Sequence, residues 1–382
     1  MKESHVIENK QNVFFPNLDG LRFFCFLSVF LFHSFATHYD YIKYSHAYVF
    51  IKGRLLSNGE LGVNFFFVLS GYLITYLLIK EKDFTGKIHI TKFYARRILR
   101  IWPLYFVCVA FGFILFPVLK KLSGTPILET AHPIYYLAFL CNFDIIKSGP
   151  PVCSSLHLLW SLSVEEQFYL IWPLVLAILP IRYYKYVFFA VITISFVFRC
   201  FYYQLPEMQI HTLFCISDMA VGGLGAYYTF RQSKLLSSIK GISRYFIVFI
   251  YMAVAGIYFF RKEIFFHPFL APFDRLVISI VFLFVILEQN FSANSIFKLG
   301  KNKILSKLGQ YTYGLYCLQI IGIYITQEIL NKLKLNTTLW RLIFIEGTLS
   351  LVITIILAYL SFTFFESFFL KLKRRFTYIA HE

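Results

Sequence analysis

The feature that most constrains this chain is a recurring apolar run about as long as a bilayer core is thick. A hydrocarbon layer of ~30 Å is crossed by ~20 helical residues. Ten stretches approach that length: 20–38, 61–79, 99–119, 158–179, 187–203, 212–230, 245–260, 274–290, 311–330 and 341–369. A further run at 134–146 is too short to span and reads as re-entrant or interfacial. Composition agrees, because 58% of the 382 residues are hydrophobic and only 15% are charged. A soluble fold of this size has no means of hiding so much apolar surface, whereas lipid can take the place of water. The 47 Phe and 27 Tyr suit lipid-facing and interfacial positions. The expected fold is an all-α polytopic membrane protein of about ten transmembrane helices with no soluble domain. Its parts are an N-terminal segment 1–19, a membrane domain 20–369 and a basic tail 370–382.

The formal net charge of +17 does not point to nucleic acid, because the basic residues sit in short clusters between apolar runs. With the N-terminus in the cytoplasm, Lys and Arg favour the inside segments by about two to one, as the positive-inside rule requires. Both termini are then cytoplasmic and the number of spans is even. The first seventeen residues are polar and carry no A-x-A site, so the first apolar run is expected to stay as an anchor. Seven cysteines include no C-x-x-C pair, which argues against a zinc or thioredoxin-type site, and no metal is expected. Cys141 and Cys153 flank a polar loop and read either as free thiols or as a disulfide.

Charge inside a bilayer is costly, roughly 2.5–3.5 kcal/mol on insertion scales, so each such residue is a functional candidate. In the first run, Asp19, Arg22 and His33 share one helix face. An isolated histidine on an apolar helix is more often a packing residue, but a charged pair on its face strengthens the catalytic reading. The fourth run opens HLLWSLSVEEQFY, with Glu165 and Glu166 adjacent. One should line an internal cavity while the other pairs or reaches the interface; the bland alternative is that both are solvated. Counted at 1.5 Å per residue, His33 and Glu165 both fall ~20 Å up the core. A carboxylate beside an imidazole would make a general-base pair for a hydroxyl. Arg96, Arg97 and Arg100 precede the third run, with Lys92 nearby. Arginine forks match phosphate oxygens. Arg97 and Arg100, spaced i, i+3, are the better phosphate candidates, and Arg96 equally fits ordinary positive-inside charge. Ser70–Gly71 suggests close helix packing, and Asp218 and Glu366 suggest structural pairing.

Taken in order, these segments resemble acyltransferase family 3, the integral-membrane O-acyltransferases of bacterial surface glycans. The resemblance rests on Asn17–Leu18–Asp19–Gly20–Leu21–Arg22 followed by His33, and on Gly62–Val63–Asn64–Phe65–Phe66–Phe67–Val68–Leu69–Ser70–Gly71. It rests equally on Arg96–Arg97–Ile98–Leu99–Arg100–Ile101–Trp102–Pro103 and on Trp160–Ser161–Leu162–Ser163–Val164–Glu165–Glu166–Gln167–Phe168–Tyr169. Later likenesses are the Asp218 to Gly222 run and Tyr311–Thr312–Tyr313–Gly314–Leu315–Tyr316. Asn64 stands where many members carry aspartate, and Gln319 where the last segment often ends in histidine.

The resemblance implies a ten-helix acyltransferase core that takes acyl-CoA, most simply acetyl-CoA, from the cytoplasmic side. It implies that His33 is catalytic and that Arg22, Arg97, Arg100 and Glu165 carry functional weight. The expected acceptor is a hydroxyl of a surface polysaccharide or its lipid-linked precursor, such as lipopolysaccharide, and the expected location is the bacterial cytoplasmic (inner) membrane. Direct transfer and an acyl-histidine intermediate both remain open. Expected partners are acyl-CoA, the carbohydrate acceptor and the lipid bilayer, with no nucleic acid; a homo-oligomer is left open. Some relatives append an extracytoplasmic hydrolase-like domain, and this chain is expected to lack one. A secondary transporter is the rival reading, but it should show internal repeats and paired broken helices, and no such symmetry is visible.

Overall fold

The computed structural model describes residues 16–231 and 234–376, and these are helical with no strand among them. We number the long helices α1 (Pro16–His33), α2 (Leu61–Thr85), α3 (Ile90–Leu122), α4 (Trp160–Ile178) and α5 (Tyr184–Tyr202). They continue as α6 (Thr212–Phe230), α7 (Arg244–Ile264), α8 (Asp274–Phe291), α9 (Thr312–Leu333) and α10 (Arg341–Phe376). Single π-turns interrupt α3 at Phe111–Leu115 and α10 at Arg341–Glu346 and Ser361–Glu366.

Five of these, α2, α3, α5, α7 and α10, are long and apolar enough to cross a membrane by length and composition. The other five (α1, α4, α6, α8 and α9) run 18 to 22 residues. They supply part of the bundle's polar interior: Asp19 and Arg22, Glu165 and Glu166, Asp218, Arg275 and Glu288, and Gln319. Asn64 and Glu81 of α2, Arg199 of α5 and Glu366 of α10 supply more of it. The most apolar window of α2 is 72% buried, against 17% for α7. α2 is therefore central and α7 peripheral, and apolarity alone does not distinguish them.

Glycines let the central helices touch. A Cβ on Gly222 would lie 2.0 Å from the Val68 carbonyl oxygen, and one on Gly71 would lie 2.0 Å from that of Met219. Helices α2 and α6 thus meet backbone to backbone, the close packing that Ser70–Gly71 suggested. Gly62 rests in the same way against Cys25 and Val29 of α1, and Gly309 against Asp19.

Boundaries shift from the sequence expectation. Helix α1 starts at Pro16, since proline at a first turn gives up a donor that has no partner there anyway. Residues 1–15 of the expected N-terminal segment and 377–382 of the tail lie outside the described residues. Residues 370–376 of the tail continue α10. The short run at 134–146 folds into two small helices, Pro133–Leu137 and Cys141–Ser148, broken near Phe139 (φ 56°). Gln167 of α4 donates to the Phe139 carbonyl at 2.8 Å, which ties this segment to the bundle. Cys141 and Cys153 are buried free thiols, with no disulfide between them.

Candidate active site

A cavity of about 130 Å³ opens between α1, α2, α3, α4 and α9. Arg22, Ser70, Arg100, Glu165, Tyr169 and Tyr316 supply its polar lining, and Val63, Phe66, Phe67 and Leu162 much of its apolar wall. On α4, Ser161, Glu165 and Tyr169 recur every four residues, so one face of that helix forms a wall.

A hydrogen-bond chain crosses the cavity. The Tyr169 hydroxyl donates to Ser70 Oγ at 2.9 Å, and Ser70 donates to Glu165 Oε1 at 2.7 Å. Of the two adjacent carboxylates, Glu165 is thus the cavity residue, as expected of one of them. Glu166 points away: the Trp102 indole donates to its Oε2 at 2.9 Å, and its Oε1 is buried without a partner. Higher on α4, Ser161 and Tyr316 are joined at 2.7 Å.

The arginines divide into three situations. Arg22 forms an ion pair with Asp19, one turn back on α1, at the edge of the cavity. Arg96 is engaged elsewhere, pairing with Glu81 at 3.0 Å and donating to the Phe376 carbonyl at 2.8 Å. Glu81 in turn accepts from the backbone of His89. Arg97 and Arg100 make no hydrogen bond or ion pair among the described residues. The Arg97 guanidinium sits over the rings of Tyr169 (5.1 Å) and Phe93 (5.6 Å), and Arg100 is exposed at the cavity. Lys373 of α10 faces Arg96, Arg97 and Arg100, and Arg22 faces Arg100. Positive charge from α1, α3 and α10 therefore converges at one end of the cavity. Lys92 lies one turn before Arg96 on α3, half-buried.

His33 lies at the other end. It is the last residue of α1, half-buried, with the Phe32 ring edge-on at 5.1 Å. Lys52 and His157 are the charged and titratable groups that face it, whereas the charged groups around Glu165 are Arg97 and Arg100. His33 and Glu165 are not brought together: Glu165 lines the cavity and His33 does not. The chain leaves the helix at Ser34 and Phe35, where φ is 67°, so the imidazole sits on the last turn of α1. Eleven residues separate Arg22 from His33 along α1, ~16 Å at helical rise. The cavity wall at Val63 adjoins Gly62, which packs on Cys25 and Val29. His33 thus lies about one turn, ~6 Å, beyond the top of the cavity.

Lys373, Tyr169, Lys52 and His157 were missed by sequence reasoning. Tyr169 closes the quoted Trp160–Tyr169 motif and falls on the helix face of Glu165, so periodicity alone would have flagged it. The others reach the site through long-range packing that no local spacing reveals.

Asp218 and Arg275 form the structural pair expected of a buried carboxylate, at 2.8 Å. Ser279 and Asn64 also donate to Asp218, at 2.7 and 3.2 Å. Glu366 accepts from Ser361 at 2.8 Å, which is likewise a local contact.

Comparison with known proteins adds a family to this geometry. A family model described as an acyltransferase domain matches residues 15–362. Over 175 residues the chain is 34% identical to the O-acetyltransferase OatA of Staphylococcus aureus strain NCTC 8325, covering 44% of this chain and 26% of that protein. Over 385 residues it is 27% identical to a putative O-acetyltransferase of S. aureus strain COL, covering 95% of this chain and 58% of that one. The chain thus spans between a quarter and three-fifths of the length of these curated relatives. No solved structure matches. The family match takes in α1 through most of α10, and with them both ends of the cavity: the chain belongs to acyltransferase family 3.

Proposed function

We propose that this protein is a membrane O-acyltransferase that moves an acyl group, most simply acetyl, from acyl-CoA to a hydroxyl of a surface polysaccharide or its lipid-linked precursor. In this reading all ten long helices cross the cytoplasmic membrane, with both termini in the cytoplasm. The arginine end of the cavity then faces the cytoplasm, where CoA is found, and His33 lies toward the outer half.

The observation that carries the reading is the pair Arg97 and Arg100: Arg100 lines the cavity, Arg97 lies on the Tyr169 ring at its edge, and neither makes a hydrogen bond or ion pair among the described residues. Unpaired guanidinium groups gathered with Lys373 and Arg22 suit the phosphates of CoA. The extended pantetheine arm runs up the cavity, where Glu165, Ser161 and Tyr316 offer hydrogen-bonding groups to its amides. The thioester then reaches His33, which requires the cavity to lengthen by about one helical turn when CoA binds. Neutral His33 takes the proton of the acceptor hydroxyl as its oxygen attacks the thioester carbonyl. The C–S bond breaks, and the leaving CoA thiolate takes that proton back from the imidazolium. Acyl transfer through His33 itself uses the same groups in two steps.

The test is acetyl-CoA turnover by the purified 382-residue chain in lipid nanodiscs, followed as free CoA thiol, with a methyl hexoside as hydroxyl acceptor. His33→Ala is expected to lower turnover by about 10²–10⁴-fold while acetyl-CoA still binds. Wild-type turnover in that variant defeats the catalytic assignment. Mass analysis of surface glycans from a strain lacking the protein identifies both the acyl group and its acceptor; glycans unchanged in mass overturn the acceptor class.

A further inference from the structure

We infer that Lys52 is a positioning residue for His33: its ammonium closes the last turn of α1 and holds a positive charge against the imidazole. The inference rests on the reading of His33 as the catalytic base. Lys52 belongs to the short π-turn Ile51–Leu55, in the connection between α1 and α2. Its Nζ donates to the Phe32 carbonyl at 2.5 Å and to the Ser34 carbonyl, the two that flank His33. Carbonyls at a helix C-terminus lack intrahelical donors, and a cation there also complements the helix dipole. The chain cannot continue the helix past this point, because Phe35 is left-handed; its carbonyl is held by the Tyr48 hydroxyl at 2.9 Å. The backbone that carries the imidazole is therefore fixed on both sides by groups from the 39–60 connection.

The same ammonium lies 5.9 Å from the centre of the Phe32 ring, and that ring meets the imidazole edge-on. Lys52 and His157, the latter at the end of the short helix Ser154–His157, are the charged and titratable groups facing His33. Burial lowers Lys52 to about 8, so it is charged at and below neutral pH. A neighbouring cation disfavours protonation of an imidazole, and the Lys52 ammonium is anchored on the carbonyls either side of His33. The position of Lys52 thus serves geometry and protonation state together.

The experiment is the pH profile of acetyl-CoA turnover in nanodiscs with a methyl hexoside, for wild type, K52M, K52Q and K52R. In K52M the acid limb is expected to move up by about one pH unit, with the larger rate loss on the acid side. K52Q keeps a hydrogen-bond donor without the charge, so it should show the same limb shift with a smaller loss at the plateau. K52R should keep the wild-type limb. If K52M does not fold, K52Q carries the comparison. A uniform fall in rate with the limb unmoved in both neutral variants overturns the inference and leaves Lys52 a structural cap. Full activity in His33→Ala instead overturns the catalytic reading beneath it, so the two failures are separable.

Discussion

Two groups of arginines in this molecule share a chemistry and differ in their surroundings. Around Asp218, every arginine is held by hydrogen bonds, although Nη2 of Arg199 and of Arg275 is buried without a partner. Arg275 pairs with the carboxylate, and Ser279 and Asn64 complete its shell. Arg199 donates to carbonyls of Pro272 and Phe214 and to Ser195 and Ser217, and Arg261 pairs with Asp274 and Glu60. At the cavity, Arg97 lies on two aromatic rings and Arg100 faces open space, and neither is hydrogen-bonded to a carboxylate. Arg97 is half-buried and Arg100 exposed, and they stand beside a third and fourth cation; like charges gathered in this way repel one another, which makes sense where an anion completes the site. Arginines held by hydrogen bonds join helices, and the two without any suit the anion of the proposed function.

The sharpest way to break this comparison is at Asp218. Asp218→Ala leaves Arg275 buried and unpaired, and should cost about 3–5 kcal/mol of stability. A drop in thermal midpoint in detergent would register it, with the acetyl-CoA KM of the folded fraction unchanged. Arg97→Ala and Arg100→Ala should do the reverse. Each removes charge-assisted hydrogen bonds to phosphate, about 1.5–3 kcal/mol, so KM for acetyl-CoA rises roughly 10- to 100-fold with no loss of stability. A stability loss matching that of Asp218→Ala would mean these arginines are structural too. Next in size, the wild-type KM should rise with ionic strength, and that dependence should flatten in Arg97→Ala. Arg96→Gln should have the smallest effect on KM, although losing the pair with the buried Glu81 should cost about 1–3 kcal/mol of stability. A KM change as large as that of Arg97→Ala would place Arg96 among the ligand-binding group.

Much of the architecture was legible because helix periodicity is a local property. Ten long helices fall on the ten apolar runs, with ends displaced where a proline or a left-handed residue decides them, as at Pro16 and Phe35. Hydropathy does not rank them by position: α7 reads as a confident span and lies at the edge, while α1 and α4 line the cavity and read as weaker ones. The i, i+3 spacing of Arg97 and Arg100 identified the better phosphate candidates. The partner of Arg96 is fifteen residues away, across the turn between α2 and α3, and no spacing rule pointed to it. The pairing of His33 with Glu165 failed because counting residues places a group along its own helix and says nothing of which side chains meet across the bundle.

By itself the sequence determined the membrane-type helices, the family, and which side chains carry charge into an apolar interior, since each follows from residue type and short-range spacing. Only the tertiary structure decided which of those charges are answered and which stand open, that Glu165 belongs with Ser70 and Tyr169, and that His33 sits under Lys52. Pairing energy depends on what comes within a few ångströms from distant parts of the chain. Backbone-to-backbone contacts such as Gly222 on Val68 and Gly309 on Asp19 set those distances.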